Sequence, residues 1–234
     1  MRSFTSITEM GTAPEPSSRY VPALRFRFLT RVYDPAVRAT TRESELKRRL
    51  LDQAAIEPAH RVLDLGCGTG TLAVRAKRRE PGAELVGLDG DPAVLARAHV
   101  KAREADVEIQ FDEGLSTELP YDDSTFDRVL STLFFHHLTG ADKRRTAAEA
   151  ARVLRPGGEL HVADLGKPAD PLMRALVLQV RLFDGLEQTR DNVAGSLPAV
   201  FAEAGLADAR ERDRLRTPVG TIALYSAGKP QPSG

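Results

Sequence analysis

Short apolar segments of strand length alternate with segments of helical length after Pro58. The predicted strands are residues 61–65, 84–88, 107–111, 126–131 and 159–164, and the predicted helices between them include 71–79 and 141–154. Parallel neighbours need a crossover of a dozen or more residues, usually a helix, so this alternation indicates a doubly wound α/β sheet with helices on both faces. Residues 207–215 and 220–227 predict an antiparallel pair that ends the sheet. We therefore expect a mostly parallel, seven-stranded sheet with an antiparallel C-terminal strand.

The remaining segments differ from this alternation in composition and spacing. Residues 1–18 are rich in Ser, Thr, Pro and Gly without periodicity and predict a flexible tail, and residues 229–234 predict a flexible end. Within residues 19–55, apolar residues at helical spacing predict helices, and we expect these N-terminal helices to form a lid. Residues 56–228 form the main predicted domain. Its segment 165–205 interrupts the alternation, and we expect this insertion to cap a substrate site.

Composition and charge limit the classes of partner. Lys and Arg together number 33, as do Asp and Glu, so the formal net charge is zero and the chain lacks the basic surplus of a general nucleic-acid binder. Its one cysteine, Cys67, excludes an internal disulfide and suits a reducing compartment. No segment approaches the ~18 apolar residues that span a bilayer, and the N-terminus lacks an apolar signal core. We expect a cytoplasmic protein with no integral membrane association.

A glycine-rich turn follows the first predicted strand. Gly66, Gly68 and Gly70 alternate with Cys67 and Thr69. Such glycines allow positive φ and let a ligand approach the backbone closely. Because the residues from Thr71 onward predict a helix, we expect the turn to aim free N–H groups at that ligand. The spacing differs from the G-x-G-x-x-G pattern of dinucleotide dehydrogenases, which disfavours a nicotinamide-dependent oxidoreductase.

Acidic residues end the first two strands. Asp64 precedes the glycine turn, and Asp89 lies 19 residues after Gly70 at the tip of the second strand. A carboxylate at the second position can accept hydrogen bonds from both hydroxyls of a ribose. Because the carboxyl ends of parallel strands share one edge of the sheet, the turn and the acid predict a nucleoside-containing ligand across that edge.

These motifs resemble the class I S-adenosylmethionine (SAM)-dependent methyltransferases in order and spacing. The resemblance covers about residues 58–165 and includes Leu119-Pro120, Phe126-Asp127 and the Arg-Pro-Gly-Gly turn at 155–158. It is closest to the branch of ubiquinone/menaquinone-biosynthesis methyltransferases. It implies a Rossmann-like sheet, SAM as cofactor and S-adenosyl-L-homocysteine as product. The cofactor-binding residues that it implies are Asp64, Gly66, Cys67, Gly68, Thr69, Gly70, Asp89, Gly90, Leu115, Ser116 and Ser131.

Within that set the resemblance assigns parts of the cofactor to individual residues. Gly66, Gly68 and Thr69 would wrap the methionine part, and Asp64 would hold its ammonium group. Asp89 would take the ribose hydroxyls, whereas Gly90 would let the adenine lie close. Cys67 is interpreted as a small turn residue rather than a catalytic thiol.

One position departs from the family pattern. Many relatives place an acidic or amide residue and then a small one where this chain has Leu115 and Ser116. The Leu115 side chain cannot accept a hydrogen bond from the adenine amino group. The alternatives are the backbone of these two residues and the nearby carboxylates of Asp112 and Glu113.

His136 and His137 follow the fourth strand at its carboxyl edge. An imidazole titrates near neutral pH and can act as a general base, so both are candidate catalytic residues, with His136 favoured. In the alternative interpretation the segment starts a helix, with one histidine packed and the other bonded to the backbone. Two histidines without further convergent ligands do not predict a metal site, and we expect none.

The sequence predicts the molecule that accepts the methyl group less directly than the cofactor that donates it. The candidate substrate-binding residues are Tyr20, Tyr33, Phe134 and His136, although Tyr33 would equally anchor a helix on the core. The predicted helix at 172–183 is unusually apolar, and a second helix is predicted at 192–204. The apolar helix favours a small lipophilic or aromatic acceptor. The alternatives for it are a homodimer contact and a peripheral contact with a membrane surface.

Two function hypotheses remain. The leading one is in-line transfer of the SAM methyl group to a small lipophilic or aromatic molecule. The tip of the fourth strand lacks the Asn/Asp-Pro-Pro-aromatic pattern of many base-modifying methyltransferases, which argues against a nucleic-acid substrate. The rival is a SAM-binding protein without methyl transfer, either a regulatory protein or a scaffold for another reaction.

Overall fold

The computed structural model describes residues 42–231, which form a single seven-stranded sheet with flanking helices. The strands are β1 Arg61–Leu65, β2 Glu84–Asp89, β3 Gln110–Glu113, β4 Phe126–Thr132, β5 Leu154–Leu165, β6 Ala207–Thr217 and β7 Gly220–Gly228. Their order across the sheet is β3-β2-β1-β4-β5-β7-β6. The pairs from β3 to β5 are parallel, whereas β7 runs antiparallel to both β5 and β6. The predicted fold class is therefore confirmed.

Helices cover the sheet within the described part of the chain. They are α1 Glu43–Ala54, α2 Thr71–Arg79, α3 Pro92–Glu104, α4 Gly140–Val153, α5 Pro171–Asp184, α6 Arg190–Ala194 and α7 Leu197–Glu203, with a 3₁₀ turn at Phe135–His137. The start of α3 illustrates the local rules, because Asp91 caps it by accepting the Ala93 N–H at 2.8 Å and Pro92 occupies the first turn. These helices supply the crossovers between parallel strands.

The strand order places the candidate site at one edge of the sheet. The chain runs outward from β1 to β3 and then returns across β1 to β4, so the order reverses between β1 and β4. Ligands of open α/β sheets bind outside the carboxyl ends of the strands at such a reversal. The glycine turn leaves β1 at this point, and the two histidines follow β4 there.

Alternate strand residues supply two hydrophobic cores because successive side chains point to opposite faces of a sheet. Leu63 faces α4 and α7, whereas its neighbour Val62 faces α1 and α2. The first core includes Val129, Ala147, Ala150, Phe201 and Tyr225, and the second includes Leu46, Leu50, Leu72 and Leu130. Both faces of the central strands are thus fully covered.

Helix α1 is the part of the predicted lid that the structure describes. Its Leu46, Leu50 and Ala54 are fully buried against the sheet. The Ala54 carbonyl also accepts a hydrogen bond from Arg128 Nε of β4 at 2.9 Å. Helix α1 is therefore a covering layer of the domain. Residues 19–41 of the predicted lid, which include Tyr20 and Tyr33, lie outside the described residues, so a lid over the site stays a prediction.

We expect Leu50→Ala to lower the free energy of unfolding by about 2–5 kcal/mol, because it removes a fully buried side chain and leaves a cavity. Urea unfolding measures this change. Leu182→Ala is the matched control: that side chain is exposed, and its loss should change the free energy by no more than about 0.5 kcal/mol. Equal, small losses in both variants would contradict the packing of α1 on the sheet.

Three elements differ most from the sequence prediction. The predicted helix at 192–204 is two helices, because Gly195 ends α6 with φ 78° and α7 begins at Leu197 with Pro198 in its first turn. Strand β3 begins at residue 110 rather than 107, since the Val107 N–H closes the end of α3 on the Ala102 carbonyl. Strand β5 begins at residue 154 rather than 159, because Leu154 already pairs with Phe126.

Candidate active site

Three left-handed glycines reverse the chain between β1 and α2. The φ angles of Gly66, Gly68 and Gly70 are 69°, 55° and 71°. A Cβ on Gly66 would lie 2.5 Å from the Phe134 ring, and one on Gly70 would lie 2.9 Å from the Phe111 ring. A Cβ on Gly68 would meet no atom of the described residues within 4 Å. Packing therefore requires the outer two glycines, whereas Gly68 faces the open side from which a ligand can approach.

Hydrogen bonds within the protein already engage most N–H groups of the turn. Gly66 and Cys67 both donate to the Leu88 carbonyl, at 2.9 and 3.0 Å, and Gly68 donates to Asp89 Oδ2 at 2.9 Å. The Gly70 N–H donates to the Cys67 carbonyl at 3.0 Å. The prediction that this turn aims free N–H groups at a ligand is wrong for these residues, because the turn folds back onto the end of β2.

Two backbone N–H groups, one on each oxygen, fix the orientation of the Asp89 carboxylate. Besides Gly68, the Asp91 N–H donates to its Oδ1 at 3.0 Å. Burial raises the pKa of Asp89, and the two N–H donors partly offset that rise. Each carboxylate oxygen offers two lone-pair positions, so both keep capacity for further donors such as ribose hydroxyls.

Asp64 is fully buried at the end of β1. Its Oδ2 accepts the Ala73 N–H at 3.1 Å, so Asp64 satisfies the first turn of α2. Its Oδ1 has no hydrogen-bond partner among residues 42–231. Burial raises the pKa of Asp64 to about 7, and the nearby Lys47 charge opposes the rise. A cationic donor at Oδ1 would satisfy this oxygen and favour the ionised form.

Three other predicted cofactor-binding residues, Cys67, Thr69 and Ser131, contact other residues of the protein. The Cys67 sulfur packs toward Gly87 inside the sheet, and burial raises the pKa of its thiol, which argues against a nucleophilic thiolate. The Thr69 hydroxyl lies 2.7 Å from Lys101 Nζ. The Ser131 hydroxyl donates to the Leu65 carbonyl at 2.9 Å from a fully buried position. Direct cofactor contacts of these three residues stay predictions.

A cavity of about 650 Å³ opens beside the glycine turn, between the ends of β2 and β3. It is lined by Gly90, Pro92, Glu113, Gly114 and Leu115. Leu115 is 39% exposed, whereas the predicted neighbour Ser116 is buried and its hydroxyl lies 2.9 Å from the Thr146 hydroxyl. Gly90 and Leu115, which the resemblance assigns to the cofactor, thus line the same cavity, and their contact with the adenine stays a prediction.

The chain turns sharply after β4 and brings two distant residues together. Leu133 adopts a left-handed φ of 51°, which costs a non-glycine residue roughly 1–2 kcal/mol. The Phe134 N–H then donates to Asp164 Oδ2 at 3.0 Å, and His136 Nδ1 lies 2.7 Å from Asp164 Oδ1. Strained residues of this kind concentrate at functional sites. Since the Phe134 ring also covers Gly66, the histidine and the glycine turn belong to one site.

Asp164 is a fully buried carboxylate surrounded by donors. These donors are the N–H groups of Phe134, His136 and Leu165, His136 Nδ1 and Asn192 Nδ2. Although burial favours the protonated form, the His136 contact and the Leu165 N–H hold the pKa of Asp164 below its ordinary value. Asp164 was not among the predicted site residues. The available signal was an acid at the end of a buried strand, as at Asp64 and Asp89.

The structure distinguishes the two histidines. Burial and the neighbouring His136 lower the pKa of His137, so His137 stays neutral near pH 7 and is a weak base. With its Nδ1–H donated to Asp164, His136 carries the basic lone pair on Nε2. Both residues lie in the 3₁₀ turn, and His136 is buried, as the alternative interpretation expected for one histidine.

Helix α5 contains the apolar segment at 172–183. Met173 and Val177 are buried against the sheet, whereas Leu172, Leu178 and Leu182 are exposed. Within the part of the chain that the structure describes, no helix is long and apolar enough to cross a membrane.

Comparison with known proteins agrees with this geometry. Residues 62–158 match a family model described as a methyltransferase domain. The chain is 42% identical over 122 residues to the demethylmenaquinone methyltransferase of Thermus thermophilus, covering 52% of this chain and 54% of the relative. This region is a class I SAM-dependent methyltransferase domain. The demethylmenaquinone methyltransferase of Deinococcus radiodurans is similar to the domain as well, with 38% identity over 130 residues, 56% of this chain and 53% of the relative.

A solved structure extends the likeness to the fold outside the matched region. The YcgJ protein of Bacillus subtilis superposes on this chain with a TM-score of 0.65 at 20% identity, covering 81% of this chain and all of that one. At this identity the likeness shows the fold alone. The chain spans about half the length of the curated relatives it matches.

The site of the methyltransferase domain fits the cofactor of its class, SAM. Asp64 Oδ1 offers a buried acceptor for an ammonium group, and Gly68 leaves open space beside the turn. Asp89 presents a fixed carboxylate for ribose hydroxyls, next to the cavity at Gly90. These features follow the order of the parts of SAM, from its ammonium group to its adenine.

We expect Asp89→Ala to weaken the binding of S-adenosylhomocysteine by tens to hundreds of times, because hydrogen bonds to a charged group contribute about 1.5–3 kcal/mol each. Isothermal titration calorimetry measures the affinity. Asp122→Ala is the control, since this exposed aspartate lies before β4 at the opposite end of the strands. Unchanged affinity in Asp89→Ala would show that the carboxylate does not hold the ribose.

Proposed function

We propose that this chain transfers the SAM methyl group to a small lipophilic or aromatic acceptor, with quinone-type molecules as the first candidates. The observation that carries the proposal is the arrangement around Gly68. Its N–H donates to Asp89, a Cβ on it would meet no atom of the described residues within 4 Å, and Asp64 Oδ1 has no hydrogen-bond partner among residues 42–231. The names of the relatives from Thermus and Deinococcus support a quinone-type acceptor.

The proposed roles of the chain's own residues divide between binding and orientation. SAM supplies, when bound, a sulfonium methyl group that is already activated toward a nucleophile. Asp64 would hold its ammonium group and Asp89 its ribose, which fixes the position of the donor. Orientation of two reactants can supply about 7–11 kcal/mol of a barrier. The half-buried Phe134 would exclude water beside Gly66.

His136 would act as general base for an acceptor that must lose a proton. The proton of the acceptor would pass to Nε2 while the acceptor forms its bond to the methyl carbon and the bond from that carbon to sulfur breaks, which would leave S-adenosylhomocysteine as the second product. Asp164 would hold the imidazole through Nδ1 and stabilise the imidazolium, because the low pKa of this carboxyl keeps it ionised. The orienting role resembles that of the aspartate in hydrolytic triads. His137, with its lowered pKa, would contribute less.

Three further parts of the proposal concern how the methyl acceptor is bound. Residues 165–205 would cap the acceptor site, and residues 19–55, with Tyr20 and Tyr33, would form a lid over it. Phe134 would contact the acceptor. The exposed leucines of α5 support an apolar acceptor, and a homodimer and a membrane-surface contact remain their alternatives. The balanced charge supports a small-molecule acceptor rather than nucleic acid, and the cytoplasm is the proposed location.

Incubation with methyl-labelled SAM tests the proposal. The purified protein would be given a panel of reduced quinones and, separately, a total metabolite extract, and mass spectrometry would follow the label. We expect labelled product in at least one lipophilic or aromatic acceptor, together with S-adenosylhomocysteine. Binding of SAM without label transfer to any acceptor would favour the rival, a SAM-binding protein of another function.

A further inference from the structure

The described residues that line the cavity beside the glycine turn include one carboxylate, that of Glu113. We propose that Glu113 accepts the hydrogen bond from the exocyclic amino group of the adenine and so selects adenosyl over other purine cofactors. This inference rests on the proposed function, because it takes SAM and S-adenosylhomocysteine as the ligands of the site.

Strand register places Glu113 beside the ribose-binding residue. Glu113 pairs with Asp89 across β2 and β3, and the Gly114 N–H donates to the Asp89 carbonyl at 3.1 Å. Neighbouring strands lie about 4.8 Å apart, and residues in register project to the same face. A base attached to a ribose at Asp89 therefore extends toward the end of β3, where Glu113 lines the cavity.

The other acceptors near this cavity have protein partners. Asp112 points to the opposite face from Glu113, and its Oδ2 accepts the Tyr121 hydroxyl at 2.9 Å and Gln110 Nε2 at 2.9 Å. The Ser116 hydroxyl is bonded to Thr146. Among the five described residues that line the cavity, Glu113 alone has a polar side chain.

The chemistry of the cavity suits adenine on both its edge and its face. An ionised carboxylate only accepts hydrogen bonds, and the adenine amino group donates them, whereas the carbonyl oxygen of hypoxanthine at the same position repels a carboxylate. The exposed Leu115 offers an apolar surface to the ring. Leu115 thus trades the usual polar contact for a packing contact, and Glu113 provides the acceptor two residues earlier.

Comparison of S-adenosylhomocysteine with S-inosylhomocysteine tests the inference. We expect the wild-type protein to prefer the adenosyl form and Glu113→Ala to reduce that preference on the order of 10-fold, as calorimetry measures it. Glu108→Ala is the matched control: it removes the same charge just before the amino end of β3, and its preference should stay at the wild-type value.

The outcomes separate this inference from the proposed function. A wild-type preference that Glu113→Ala leaves intact would overturn the role of Glu113, while S-adenosylhomocysteine binding would still support the proposed function. Failure of the wild-type protein to bind S-adenosylhomocysteine would overturn both. Equal losses of preference in Glu113→Ala and Glu108→Ala would assign the effect to net charge and would also overturn the role of Glu113.

Discussion

Replacing Asp164 with alanine is expected to lower the free energy of unfolding by about 3–5 kcal/mol, because several buried donors lose the charged acceptor that satisfies them. The carboxylate is fully buried and accepts from three backbone N–H groups, from His136 and from Asn192. Without it, these donors lose their partner in a place that water does not reach, and each buried donor left unsatisfied costs about 1–3 kcal/mol.

Urea unfolding of the purified variant measures this loss. Asp213→Ala is the matched control, because Asp213 is exposed and its ion pair with Arg49 lies on the surface, where such pairs are worth about 0–1 kcal/mol. We expect the loss of stability in Asp164→Asn to lie between the losses in Asp164→Ala and Asp213→Ala, since the amide keeps one acceptor oxygen. A loss of less than 1 kcal/mol in Asp164→Ala would show that the buried network is not formed in solution.

The dependence of this effect on pH has a definite sign. Because the pKa of Asp164 is lower in the folded protein than its ordinary value of about 3.9, ionisation favours folding. The contribution is fully present above the ordinary value and is lost as the pH falls through the lower folded value. The difference in stability between wild type and Asp164→Asn should therefore persist at neutral pH and shrink only in acid.

Local patterns were sufficient to predict the elements that build the cofactor side of the site. The alternation of apolar strands, the three glycines and the acids at Asp64 and Asp89 each depend on neighbours in sequence, so their places in the fold could be predicted. The apolar spacing of Leu46 and Leu50 predicted α1 as a helix as well. It could not tell a covering layer from a lid, because both bury an apolar face.

Contacts between distant segments account for what the sequence did not predict. His136 and Asp164 lie 28 residues apart, and Asn192 lies a further 28 residues along the chain. The parallel pairing of β4 with β5 and the left-handed turn at Leu133 bring His136 to Asp164, and helix α6 carries Asn192 to the same carboxylate. The prediction that the N–H groups of the glycine turn face a ligand failed for a similar reason. Their hydrogen-bond acceptors lie at the end of β2, which is distant from the turn in sequence.

His136→Ala is expected to lower kcat by 10²–10⁴-fold, the usual contribution of a general base, while S-adenosylhomocysteine affinity stays within a few-fold of wild type. This split follows from the proposed role, because the imidazole would act on the acceptor proton whereas Asp64 and Asp89 hold the cofactor. The assay uses the acceptor found with labelled SAM. His60→Ala is the control, since His60 precedes β1 at the opposite end of the strands.

The pH–rate profile separates catalysis from a packing role for His136. If the imidazole takes the acceptor proton, the wild-type rate falls in acid as the ring is protonated, and His136→Ala lacks this limb and retains a low, flat rate. Asp164→Asn should lower kcat too, because the amide cannot stabilise the imidazolium, and added imidazole should restore part of the activity of His136→Ala alone. A packed histidine predicts the opposite pattern: His136→Ala would lose stability, keep the acidic limb and gain nothing from imidazole.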